Sequence, residues 1–167
     1  MTIGDSGTGK TSILSRFMSN TFQTNIPSTH GIDWFAKTVS FLVDGEQRET
    51  KLYVWDTSGQ ERYKSLMSSY IKGASVVLLV FDLNNPATLK ELPNWLENIH
   101  QREAEFRLYL VGNKGDLEKN CDDAEIQRIL TETHSIKYFK VSAKTGEGIN
   151  DMFTLIGKEL YTASSLV

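Results

Sequence analysis

The stretch Gly4-Asp5-Ser6-Gly7-Thr8-Gly9-Lys10-Thr11 constrains this chain more than any other. It matches the pattern G-x-x-x-x-G-K-[ST], in which successive backbone N–H groups surround phosphate oxygens. Glycines let the chain curl without a Cβ in the way, and the helix that follows presents its positive end. Lys10 neutralises terminal phosphates, and the Thr11 hydroxyl can ligate Mg²⁺. The pattern demands a strand before it and a helix after it. Ile13, Leu14, Phe17 and Met18 supply the apolar face of that helix. Only Met1, Thr2 and Ile3 stand in front, so the expected first strand is cut short. A glycine-rich turn that merely precedes a helix is the plain alternative, and the full pattern outweighs it.

Runs rich in β-branched and aromatic residues alternate along the chain with helical patterns, the signature of a parallel sheet wrapped by helices, hence an α/β fold. Strands are expected near 32–43, 51–56, 75–81, 106–111 and 137–141. Asp44-Gly45 between the first two is a hairpin signal that makes them antiparallel. Ile149, Met152, Phe153, Ile156 and Leu160 form a buried stripe on a last helix. Asp122 with Glu125 resembles a helix-capping arrangement, and Pro93 places a helix start near Leu92. The 167 residues suit one domain. Lys and Arg number 18 against 21 acidic residues, with no basic run, which excludes nucleic acid as an expected partner. The single cysteine, Cys121, cannot form an internal disulfide, and no leader precedes the first motif, so a cytoplasmic setting is expected. The longest apolar run, 76–81, is far below the ~20 residues a membrane-spanning helix requires.

Asn113-Lys114-Gly115-Asp116 follows the strand-like Leu108 to Gly112, so it emerges where ligands bind in open α/β sheets. A carboxylate there can accept two hydrogen bonds from guanine, donors that adenine lacks. A site built around such an acceptor can reject the wrong base by roughly 10⁴-fold, because the buried carboxylate would be left unpaired. By itself a polar loop after a strand is an equal reading. Ser142-Ala143-Lys144 also follows a strand, and two loops at successive strand ends can converge on one base. Phe22 can stack on its face, although an isolated aromatic is more often core. Trp55-Asp56-Thr57-Ser58-Gly59-Gln60 ends another strand. Asp56 suits a Mg²⁺ water shell, the Gly59 N–H a γ-phosphate, and Gln60 an attacking water. The alternative is a strand running into a turn. Thr29 lies in a loop without apolar periodicity, 23–31, which suits a segment that orders when a third phosphate is present. Read singly, it is a loop hydroxyl before it is a ligand.

Together, 4–11, Thr29, 56–60, 113–116 and 142–144 resemble the Ras superfamily of small GTPases, and within it the Rab branch. Gly31-Ile32-Asp33 and Gln60-Glu61-Arg62-Tyr63 share that likeness. The resemblance covers nearly the whole chain. It implies a P-loop NTPase domain over 1–167, with a mostly parallel six-stranded sheet, one antiparallel edge strand and helices on both faces. It implies GTP or GDP as ligand and Mg²⁺ as cofactor. The implied phosphate-binding residues are Ser6, Gly7, Thr8, Gly9, Lys10, Thr11, Ser12, Thr29 and Gly59. Phe22, Asn113, Lys114, Asp116, Ser142, Ala143 and Lys144 would bind guanine; Thr11, Thr29 and, through water, Asp56 would hold the metal. Gln60, Lys10 and Gly59 are the implied catalytic residues, and Trp34, Trp55 and Tyr70 an effector patch.

The resemblance further implies a monomeric switch in vesicle trafficking, hydrolysing GTP slowly and served by an exchange factor, a GTPase-activating protein and effectors. No arginine stands in 20–29 to act as an internal finger. A nucleotide-loaded scaffold without useful hydrolysis is the rival expectation, against which Gln60 and Thr29 argue. His30 replaces an aliphatic residue, Trp34 a phenylalanine and Ser58 an alanine of the family pattern. Residues 162–167 contain no cysteine, whereas Rab-like chains end in a prenylated tail, so attachment to the cytoplasmic face of an endomembrane is expected only through such a tail.

Overall fold

The computed structural model describes residues 1–29, 31–59, 71, 73–100 and 106–165, the side chains of 98–100 excepted. In chain order the described elements are β1 (Thr2–Ile3), α1 (Lys10–Ser19), β2 (Ile32–Val43), β3 (Glu46–Thr57) and β4 (Val76–Asp82). They continue with α2 (Pro86–Lys90), α3 (Leu92–His100), β5 (Arg107–Asn113), α4 (Asp123–Glu132), β6 (Lys137–Lys140) and α5 (Ile149–Ser164).

Four strands form a parallel sheet in the order β1-β4-β5-β6, and β2 and β3 form an antiparallel ribbon beside β1. The expected six strands are present, but the two groups are not joined by a backbone ladder. With β1 only two residues long, side chains do the joining: Thr2 Oγ1 donates to Trp55 O at 3.2 Å and Thr57 Oγ1 to Thr2 O at 2.6 Å. The β1–β4 register nonetheless reaches back to the first residue. The Met1 amine donates to Val76 O at 3.0 Å and Leu78 N to Met1 O at 2.8 Å. That amine is buried, and desolvation lowers its pKa to about 5.

The continuous apolar run of β4 is explained by burial on both faces. Val77, Leu79 and Phe81 face Leu89, Leu92, Trp95, Ile126 and Ile129 of α2, α3 and α4. Leu78 and Val80 face Ile13, Leu14 and Phe17 of α1, Phe153 and Ile156 of α5, and the inner side of the ribbon. Phe17 and Phe153 stack with ring centroids 3.9 Å apart. Gly157 lets α5 approach the ribbon closely, since a Cβ there would lie 2.4 Å from Val39 Cγ2.

Local chemistry sets the boundaries. Asp44 and Gly45 take φ of 52° and 80°, the left-handed pair that a two-residue hairpin requires, and lock the register of all twelve residue pairs of the ribbon. Pro93 sits in the first turn of α3, where its missing N–H costs nothing. Asp122 caps α4 through Ala124 N at 3.2 Å, whereas Glu125 pairs with Arg128 at 2.9 Å instead of completing a capping box. The strands β1, β3, β5 and β6 thus deliver their C-terminal ends, and the loops beyond them, to one rim of the sheet.

Candidate nucleotide site

The phosphate loop leaves β1 and enters α1 through Gly7 and Gly9, with φ of 79° and 90°. No side chain caps α1, so its first N–H groups are left to the loop's concavity. Lys10 is only 5% exposed and curls back under the loop, its Nζ donating to Gly4 O at 2.7 Å and Asp5 O at 2.8 Å. Burial lowers its pKa to about 8, opposed by the carboxylates of Asp56 and Asp5. Thr8 Oγ1 donates to Asp5 O at 2.9 Å, turning its side chain inward. Ser12 lies on the cavity wall one residue beyond Thr11.

Gly59 lies directly against this loop. Ser6 N donates to Gly59 O at 3.0 Å, and a Cβ on Gly59 would lie 2.3 Å from Ser6 N, so no larger residue fits. Ser58, buried, donates its N–H to Gly31 O at 3.1 Å. Gln60, His30 and Tyr70 lie outside the described residues.

Three oxygen ligands gather beside the loop. The Thr11 hydroxyl is 2.8 Å from that of Thr29 and donates to Asp56 Oδ2 at 2.6 Å. Asp56 is 1% exposed, and among the described residues its Oδ1 has no hydrogen-bond partner. Burial raises its pKa; the Thr11 hydrogen bond and Lys10 oppose that rise, and Asp33 adds to it. A buried, unpaired carboxylate oxygen next to two hydroxyls is a hard-oxygen set that suits Mg²⁺ with part of its water shell retained.

On the opposite side the base-reading candidates interlock. Asn113, 1% exposed, donates from Nδ2 to Thr8 O at 2.9 Å and accepts at Oδ1 from Ala143 N at 3.1 Å. Asp116 accepts from Ser142 Oγ at 2.6 Å, which holds its pKa low, and Lys144 Nζ at 3.7 Å assists. Lys114, at φ 63°, pairs with Asp82 at 2.7 Å. Phe22 is half-buried on the near wall. A cavity of about 480 Å³ joins the two ends, with the phosphate loop, Phe22, Thr29, Gly59, Asn113, Lys114, Asp116, Ala143 and Lys144 on its wall; the buried Thr8, Asp56 and Ser142 do not line it.

Several residues escaped the sequence reading. Asp82 steadies Lys114. Trp95, buried in α3, donates Nε1 to Asp5 Oδ1 at 2.6 Å and ties the phosphate loop to that helix. The one available signal was that a core tryptophan usually finds a partner for its N–H. On the outer face of the ribbon Trp34 is 58% exposed while Trp55 is half-buried against the core. The expected patch gains Tyr53, equally exposed, with its ring centroid 6.2 Å from that of Trp34.

A phosphate loop at the end of β1 with two further loops meeting it at the ends of β5 and β6 defines a nucleotide-binding α/β protein of the P-loop class. Comparison with known proteins narrows it. The Ras family model matches residues 1–162. The chain is 37% identical to the Ras-related protein RABE1e of Arabidopsis thaliana over 161 residues, 95% of this chain and 72% of that one. It is 35% identical to Rab-13 of Canis lupus familiaris, covering 97% and 79%, and 34% to human Rab-8B, covering 96% and 76%. The chain belongs to the Ras family and is a small GTPase of Rab type.

Proposed function

We propose that this chain is a guanine-nucleotide switch that binds GTP and GDP with Mg²⁺, hydrolyses GTP slowly and serves vesicle trafficking. The observation that carries the reading is the single cavity lined at once by the phosphate loop, Thr29, Gly59 and the Asn113 to Asp116 and Ala143 to Lys144 loops. In this reading the N–H groups of Gly7 to Ser12 and the Lys10 ammonium hold the phosphates, and the Asp116 carboxylate accepts from the guanine edge. Phe22 and the Lys114 stem flank the ring. Thr11, Thr29 and, through water, Asp56 would hold Mg²⁺, which when bound supplies charge neutralisation to the phosphates.

For hydrolysis, Gln60 orients the attacking water, the Gly59 N–H faces the γ-phosphate, and Lys10 offsets charge that develops on the phosphates. No arginine lies in 20–29, so a GTPase-activating protein supplying one in trans would raise the rate by about 10³–10⁵. The loop 23–31 leads in sequence into the ribbon that carries Trp34, Tyr53 and Trp55, and Ser58 and Gly59 follow directly on its second strand. Nucleotide state therefore has a short path to an exposed aromatic surface suited to effectors. Among the described residues no helix is long and apolar enough to cross a membrane. Membrane residence in this reading comes from a lipidated tail.

Single-turnover hydrolysis of bound GTP, with and without Gln60→Leu, tests the proposal. Slow hydrolysis that falls further in the variant is expected. Tight GTP binding with no hydrolysis in either form would replace the switch with a nucleotide-loaded scaffold, and failure to bind GTP would overturn the reading.

A further inference from the structure

The side chain of Arg16, in the last turn of α1, places all three guanidinium nitrogens on oxygens of two separate segments. Nε donates to Ala143 O at 2.9 Å and Nη2 to Lys144 O at 2.6 Å. Nη1 donates to Asn20 O at 2.8 Å and Asn20 Oδ1 at 3.0 Å. The Arg16 main chain joins in, its carbonyl accepting from Asn20 N at 3.0 Å, the bond that closes α1 with Asn20 at φ 56°. A Cβ at Gly146 would lie 3.4 Å from Arg16 Cδ, so the loop beyond Lys144 also packs on the arginine stem.

Both segments lead to the wall of the cavity, one through Phe22 and the other through Ala143 and Lys144. Asn20 is the turn from which the chain runs to Phe22, and Ala143 and Lys144 belong to the loop whose Ala143 N–H is held by Asn113. We propose that Arg16 is a specificity-determining positioning residue. By gripping Asn20 and the carbonyls of Ala143 and Lys144 in one planar fork, it sets the gap between Phe22 and the 142–144 loop in which the nucleotide base lies. Because the peptide is planar and trans, pinning the Ala143 carbonyl fixes the orientation of the whole Ala143–Lys144 peptide. Arginine suits this role and lysine does not, since the four acceptors are spread along a planar fork of three nitrogens that the single nitrogen of an ammonium cannot span. The inference rests on the guanine reading of this cavity given above.

A staple that merely stabilises the fold would weaken every ligand alike, whereas a base-gap residue affects only ligands that have a base. The test is displacement of fluorescent GDP from the full chain by GDP, ADP and inorganic tripolyphosphate, for the unsubstituted protein, Arg16→Ala and Arg16→Lys. The expected result is that Arg16→Ala weakens GDP about 10- to 100-fold, the scale of losing charge-assisted hydrogen bonds. The GDP-over-ADP ratio shrinks with it, tripolyphosphate stays within about twofold, and lysine fails to restore the ratio. Equal weakening of GDP and tripolyphosphate, or an unchanged GDP-over-ADP ratio, overturns the inference. Asn20→Gly keeps the left-handed turn and removes one acceptor of the fork, so it decides the matter should Arg16→Ala not fold. A smaller loss of the same ratio supports the proposal, and an unchanged ratio overturns it. An unsubstituted protein that binds GDP no better than ADP refutes the guanine reading itself, an outcome separate from a preference that survives in the variants.

Discussion

Loading the nucleotide-stripped protein with GDP should draw a proton from solution onto Lys10, in an amount set by pH. The free site holds this amine buried among carbonyls with a pKa of about 8. Phosphate oxygens stabilise the ammonium and push the value back above its ordinary one, so the uptake equals the neutral fraction of the free form. With a pKa of about 8 that fraction is about 0.1 at pH 7, about one half at pH 8 and about 0.9 at pH 9. Calorimetric titration with GDP and Mg²⁺ in two buffers of different ionisation enthalpy reads the uptake directly, as the slope of observed against buffer enthalpy. The slope should climb across that range and vanish in Lys10→Met. Buffer-independent heats at both pH 8 and pH 9 would refute the reasoning, as would an undiminished slope in the methionine variant. The same shift bears on folding. Lys10 is lowered from its unfolded value of 10.5, so stability rises with pH between about 8 and 10.5, and below pH 8 the stripped protein carries a cost of about 3 kcal/mol.

Asp56→Asn should raise the melting temperature of the stripped protein by a few degrees at pH 7, since it removes a buried carboxylate whose Oδ1 is unpaired among the described residues. It should also abolish the Mg²⁺ dependence of nucleotide retention; a lowered melting temperature would contradict the burial argument. Gly157→Ala should destabilise by about 1–3 kcal/mol in urea unfolding despite the better helix propensity of alanine, because its Cβ would press on Val39 Cγ2. In a Val39→Ala background the same change should turn neutral or favourable, and additive effects would show that the two residues do not meet. For a polypeptide starting at Met1, the buried amine lowered from 8.0 to about 5 makes stability rise with pH between those values, by about 4 kcal/mol in all. Acetylating that amine should flatten the profile, as followed by denaturant midpoints at pH 5 and pH 8.

How far the sequence can be read depends on whether an element announces itself locally. Ile32 to Val43 is β-branched and aromatic and ends on an Asp-Gly pair, so both its limits are legible. Its partner β3 starts five residues earlier than its apolar pattern shows. Glu46 to Thr50 are polar, with Glu46, Gln47 and Glu49 exposed and Arg48 and Thr50 half-buried, and only the hairpin register pulls them into the strand. Helix α2 hides in the same way. Asn85 caps it through Ala87 N, but five residues are too few to set a period. In the site, Lys10, Thr11, Asp56, Asn113 and Asp116 sit in patterned stretches. Arg16, Asp82 and Trp95 act through partners 127, 32 and 90 positions away, separations that no local spacing records.

The amide of Asn113 has a consequence for anyone who would rebuild this protein. One side of it is bonded to the Thr8 carbonyl and the other to the Ala143 amide, and a Cβ on Gly9 would lie 2.3 Å from its nitrogen. The phosphate-holding and base-choosing halves are therefore not interchangeable cassettes. Transplanting the 113–116 loop into another phosphate-loop scaffold, or redesigning it for a different base, must carry along a glycine at 9, a carbonyl at 8 and an amide at 143. A designer who altered one loop alone would inherit a misplaced neighbour in each of the other two.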